Sequence, residues 1–169
     1  RLLAADTAAK DYGGYTIVCQ TSADENGIYE DANGKYAYAE TNPALDQMIK
    51  AGAQTIILPA GNFIIPNSAQ GKTLRFMGNG DTTIATKTSG SYEGCNYGLD
   101  GSTVVFENVV INTDNKTYTG YARCKGTYNN CTINGSYTLY GESVFNNCTF
   151  NVAGDAYNIW TWGAPSVEF

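Results

Sequence analysis

Three stretches of this chain repeat one another: V-F-E-N-V-V-I-N from Val105, T-Y-N-N-C-T-I-N from Thr127 and V-F-N-N-C-T-F-N from Val144. Aligned, they place Phe106, Tyr128, Phe145 and Phe169 in one column, at separations of 22, 17 and 24 residues. Asn108, Asn130 and Asn147 form a second column. Ile111, Ile133 and Phe150 form a third, and Asn112, Asn134 and Asn151 follow them in a fourth. Between the copies a tyrosine motif recurs in Tyr97, Tyr118, Tyr137 and Tyr157, spaced by 21, 19 and 20 residues. Looser copies precede these at Ile56 to Phe63 and Leu74 to Ile84. A period near 20 that drifts by several residues suits a coil of short strands joined by turns of variable length, because insertions enter turns without disturbing stacked strands. An array of helical pairs or heptads does not drift in this way.

Within each copy apolar and polar residues alternate, except that five positions separate Phe145 from Phe150, so strict period-2 alternation fails once between them. A bend at Asn147 returns both to the inside. Asparagine tolerates leaving the β region, and its amide can bond the same amide one coil away. Stacked coils lie about 4.8 Å apart, so identical amides in a column form a ladder. The expected structural ladder is therefore Asn108, Asn130 and Asn147, backed by Phe106, Tyr128 and Phe145. The fold class expected is all-β, a right-handed parallel β-helix of about five coils.

Before the coils, Asn42-Pro43 and the following A-L-D-Q-M-I-K-A up to Gly52 read as a short helix, with Asn42 as cap, Pro43 at the first position and glycine past the end. Leu45, Met48 and Ile49 share one face, which suits a lid over the apolar start of the stack. Tyr15 to Val18 reads as a strand, and Gly27 to Glu40 as a hairpin excursion around Asp31-Ala32-Asn33-Gly34. Residues 1–54 thus form a strand, hairpin and capping helix, and residues 55–169 form the coils. Val167-Glu168-Phe169 begins another copy, so the last coil is expected to meet further chain or a partner subunit.

The remaining composition narrows the chemistry. A net charge of −6 disfavours nucleic acid, since phosphate neutralisation needs a basic surface. No apolar run approaches the roughly 18 residues of a membrane span. The chain has no histidine, the commonest general base and a frequent zinc ligand. Its five cysteines include no C-x-x-C pair, and Cys131 and Cys148 share a column as small apolar residues or as a disulfide between coils. No metal and no cofactor are expected.

The helix, the run A-G-A-Q-T-I-I-L-P-A-G, the run Lys72-Thr-Leu-Arg-Phe-Met-Gly-Asn-Gly-Asp and the F-x-N-C-T-F-N coils together resemble the pectate-lyase-like superfamily of right-handed parallel β-helices. More narrowly they resemble the N-terminal region of secreted or surface β-helix repeat proteins of gut bacteria, over roughly residues 42–169. The resemblance implies a fold shared by lyases, hydrolases, adhesins and phage tail proteins. Lyases of the family use clustered acidic residues around calcium and a basic residue as proton acceptor; the hydrolases use several Asp carboxylates on adjacent coils. Here Asp81, Asp100, Glu107, Asp114, Glu142, Asp155 and Glu168 are scattered over different columns. Arg123 and Lys125 form a basic pair that reads as a lyase base and clamp or as a solvated turn. Asp24-Glu25-Asn26-Gly27 with Asp31-Ala32-Asn33-Gly34 reads as a calcium loop or as two ordinary Asn-Gly turns. No catalytic residue is assigned. The aromatics Tyr140, Trp160 and Trp162 are candidates for sugar stacking, against the alternative of an internal aromatic stack.

The function expected is a non-catalytic extracellular or cell-surface module, structural or adhesin-like, that presents loops to a polysaccharide, a host surface or another protein. Two alternatives stand beside it: a virion component of tail, fibre or capsid decoration, and a fragment of a polysaccharide lyase or glycoside hydrolase whose site lies outside these residues.

Overall fold

The computed structural model describes residues 10–12, 15–17, 23–32, 34–85, 101–113, 121–122, 124–135, 137–152, 159–161 and 165–169. Strands dominate them. β1 (Lys10–Tyr12) and β2 (Tyr15–Ile17) pair antiparallel with each other, as do β3 (Tyr29–Asp31) and β4 (Gly34–Tyr38). The helix α1 (Asn42–Lys50) follows, then β5 (Thr55–Ile57), β6 (Gly61–Ile64), a 3-10 turn at Asn67–Ala69 and the long strands β7 (Thr73–Ala85) and β8 (Thr103–Asn112). The later strands are short: β9 (Tyr121–Ala122), β10 (Lys125–Asn129), β11 (Thr132–Asn134), β12 (Tyr137–Leu139), β13 (Ser143–Asn146), β14 (Thr149–Asn151), β15 (Ile159–Trp160) and β16 (Val167–Glu168).

One mixed sheet holds most of them, in the order β16, β13, β10, β8, β7, β5, β4, β3; every neighbouring pair along it is parallel except β3 with β4. A second parallel row joins β6 to β7, β8 to β11 and β11 to β14, and a separate parallel sheet runs β15, β12, β9. The strands stack in the register of the repeat: Phe106 lies opposite Phe76 and Tyr128, Tyr128 opposite Phe145, and Ile133 opposite Ile111 and Phe150. The looser copies join the same columns, with Ile56 opposite Phe76 and Phe63 opposite Ile84.

The core follows from these columns. Phe76, Phe106, Tyr128, Phe145 and Phe169 stack ring on ring, with centroids 5.6, 5.3, 4.5 and 5.4 Å apart and planes within 21° of parallel. Tyr137 meets Tyr128 edge-on, and the two buried hydroxyls lie 2.8 Å apart, so phenols enter the core without losing a polar partner. Room for the Tyr128 phenol comes from Gly126, where a Cβ would lie 2.8 Å from the ring.

Asn108, Asn130 and Asn147 adopt φ of 53°, 54° and 53°. This left-handed conformation is one that asparagine adopts more readily than other non-glycine residues. Each inserts one residue into the alternation, so that Phe106 and Val109, and likewise Tyr128 and Cys131, all point into the core. In β7 the same parity break is made by a longer excursion at Asn79, Gly80 and Asp81; buried Thr82 then donates to the carbonyl of Pro59 at 2.8 Å.

At the start of the chain the cap of α1 differs from the sequence expectation. Thr41 is the N-cap, accepting from the Ala44 N–H at 3.2 Å, while Asn42 lies in the first turn and its side chain accepts from the Ile64 N–H at 2.9 Å. Asparagine and threonine both cap well, and the tie to β6 decides between them. Leu45 and Ile49 are buried in the main core and Met48 packs at its margin. No described helix is long and apolar enough to cross a membrane.

Candidate functional site

Strand alternation gives the sheet a second, outer face. Ile56 and Phe76 enter the core, so their neighbours Ile57 and Met77 point the other way. On that face Ile57 is 4% exposed, covered by Tyr29, Tyr36, Tyr38 and Met77, in a cluster separate from the main core. Register builds it: Tyr29 lies opposite Tyr36, Tyr38 opposite Ile57, and Ile57 opposite Met77. Three half-buried tyrosines therefore stand on adjoining strands, each with an apolar body packed down and the remainder accessible. Burial, with the nearby Glu40 adding to it, raises the Tyr38 phenol above its ordinary pKa.

Beside this cluster the chain turns from β4 into α1, leaving an open groove of about 420 Å³ walled by Tyr29, Tyr38, Glu40, Thr41, Ala44 and Met48. On the other flank of the loop lies a hollow of about 570 Å³ lined by Glu25, Asn26, Gln47, Lys50 and Ala51. The loop between them is organised by Asp24, whose Oδ1 accepts from the N–H groups of Asn26 and Ile28 at 2.8 and 2.9 Å. That oxygen closes a turn. Among the described residues no three His, Cys, Asp or Glu side chains gather as metal ligands.

The asparagine columns form a different surface. Asn147 Nδ2 donates to Asn130 Oδ1 at 2.7 Å, Asn146 to Asn129 at 2.9 Å, Asn134 to Asn112 at 2.8 Å and Asn151 to Asn134 at 2.7 Å. The residues aligned as Asn108, Asn130 and Asn147 thus occupy one corner, backed by the stacked rings of Phe106, Tyr128 and Phe145.

Cys131 and Cys148 are free thiols preceding the paired strands β11 and β14, each donating to backbone carbonyls: Cys131 to Asn129 at 3.4 Å and Cys148 to Tyr128 at 3.2 Å. Burial pushes the Cys131 thiol up to about 12, which leaves it protonated and a poor nucleophile at neutral pH. Of the basic pair, Lys125 binds Glu142 at 3.0 Å on the surface, and Arg123 lies outside the described residues. Arg75 pairs with Glu107 across adjacent strands.

Of the aromatics proposed for sugar stacking, Tyr140 is half-buried at the end of β12. Trp160 lies in β15, its backbone opposite Thr138, while its side chain and the whole of Trp162 lie outside the described residues. So do Asp100, Asp114, Asp155, Tyr97, Tyr118 and Tyr157. The repeat columns contain no hint of Tyr29, Tyr36 and Tyr38, which precede the repeats. The signal open to a reader was the alternation of Tyr36 and Tyr38 within one hairpin arm, which puts both on one face.

Comparison with known proteins found no matching family model, no matching curated protein and no matching solved structure.

Proposed function

We propose that the chain is a right-handed parallel β-helix of the pectate-lyase-like kind, acting as a non-catalytic extracellular or surface module that holds a polysaccharide against its outer sheet face. The observation that carries this reading is the cluster of Tyr29, Tyr36 and Tyr38 around Ile57 on one face of the mixed sheet. Tyrosines offer sugar rings an apolar face to stack on and a hydroxyl to bond, and a sheet fixes their spacing at little entropic cost. The parallel register of successive strands, the left-handed asparagine corners and the continuous ring stack support the coil geometry.

The test is affinity electrophoresis through gels containing neutral or acidic polysaccharides, comparing the wild type with Tyr36→Ala and with Asn146→Ala on the amide surface. Retardation that Tyr36→Ala abolishes and Asn146→Ala leaves intact is the expected result. Equal retardation of all three, or none of any, would remove the reading, and release of reducing ends during the run would favour an enzyme.

A further inference from the structure

The groove beside α1 differs in chemistry from the tyrosine face it adjoins. Its walls bring together two tyrosines, the Met48 thioether and the Ala44 methyl, with one formal charge, the exposed carboxylate of Glu40. None of the described residues lining it is basic. We propose that this groove is a cation-binding site that takes a quaternary ammonium group, the rings of Tyr29 and Tyr38 receiving its methyls and Glu40 balancing its charge.

The ring quadrupole of tyrosine attracts a cation, and a methylated ammonium also gains from apolar walls, since it is weakly hydrated and offers no N–H that must be satisfied. The competing influence is the N-terminus of α1, whose free N–H groups would favour an anion. Three positions of that first turn offer no free donor. Pro43 has none, the Ala44 N–H donates to Thr41 Oγ1 at 3.2 Å and the Leu45 N–H donates to the Thr41 carbonyl at 2.9 Å. The lining then offers the Glu40 carboxylate and two tyrosines beside Thr41, Ala44 and Met48. The volume of about 420 Å³ falls within the range of small-ligand sites and accommodates a choline-sized cation.

The site shares Tyr29 and Tyr38 with the face proposed for polysaccharide capture, but Tyr36 lies outside its lining, so the two are separable by experiment. Choline and its neutral isostere 3,3-dimethylbutan-1-ol would be titrated into the whole protein and followed by amide chemical shifts in NMR. Saturable shifts around Gly27, Tyr38 and Ala44 are expected with choline, and binding of the neutral isostere about tenfold weaker or more. Glu40→Gln, an exposed change that leaves packing alone, is expected to weaken choline by about fivefold. Tyr38→Ala should weaken it by about two- to fivefold. Equal affinity for the neutral isostere would mean an apolar slot and overturn the proposal. So would the absence of saturable shifts at concentrations on the order of 100 mM, or choline affinity unchanged in Glu40→Gln. If polysaccharide retention persisted through such a failure, the cation site alone would fall.

Discussion

One outer column of the sheet passes through Tyr38, Ile57, Met77, Glu107, Asn129 and Asn146, and its chemistry changes half-way along. In the early strands unlike residues meet, and an apolar patch is left partly open around Ile57. In the later strands like residues meet: Asn146 binds Asn129, and beside them Asn147 binds Asn130. Pairing along this column is parallel throughout. The difference lies in which side chains meet on adjacent strands. A column of identical amides satisfies itself, each donating along the stack, which suits a structural surface. A column of tyrosine, isoleucine and methionine buries part of its apolar surface but leaves the tyrosines partly accessible, and that suits contact with something else.

If the later strands are held chiefly from within, the largest losses should come from the ring stack. Tyr128→Ala removes a ring that touches Phe106, Tyr137 and Phe145 and the hydroxyl that meets Tyr137, and should cost about 3 to 5 kcal/mol in chemical denaturation. A loss below about 1 kcal/mol would show that the stack contributes little beyond filling space.

The corners should come next. Asn130→Ala combines a lost amide partner with a left-handed backbone unsuited to alanine, and should destabilise by about 1 to 3 kcal/mol. Asn130→Gly keeps the backbone conformation and isolates the amide ladder. A glycine variant as stable as wild type would mean that conformation, not the ladder, makes asparagine the corner residue.

On the early face the effect on stability should be smallest. Tyr36→Ala should cost about 1 kcal/mol or less, the range of a cross-strand pair on an exposed sheet surface, while removing polysaccharide retention. A loss as large as that of Tyr128→Ala would reassign the tyrosine cluster from a contact surface to a second core and blur the contrast between the two halves.

The register of the later strands was legible in the sequence because each copy carries like residues at the same step, so alignment alone predicts which residues lie opposite. Phe106, Tyr128 and Phe145, with the asparagines two positions later, could be placed before any strand was paired. The parity break at each corner was legible too, since five positions between Phe145 and Phe150 cannot both face inward on one flat strand. The N-terminal region has no second copy to align. Its helix was visible from Pro43 and the spacing of Leu45 and Ile49, but the choice of Thr41 as cap depended on Asn42 being drawn to Ile64, a residue 22 positions away.

The candidate site belongs to the same gap. Tyr29 reaches Tyr36 through an antiparallel hairpin, and Tyr38 reaches Ile57 and Met77 through parallel pairing across α1 and the following turn. By itself the sequence determined the periodic part of this protein, because repetition converts a long-range contact into a local comparison between copies. Beyond the alternation that puts Tyr36 and Tyr38 on one side, the tyrosine face and the groove beside it were decided by tertiary structure. Their residues are unlike one another, and only the pairing of strands far apart in the chain sets which of them share a face.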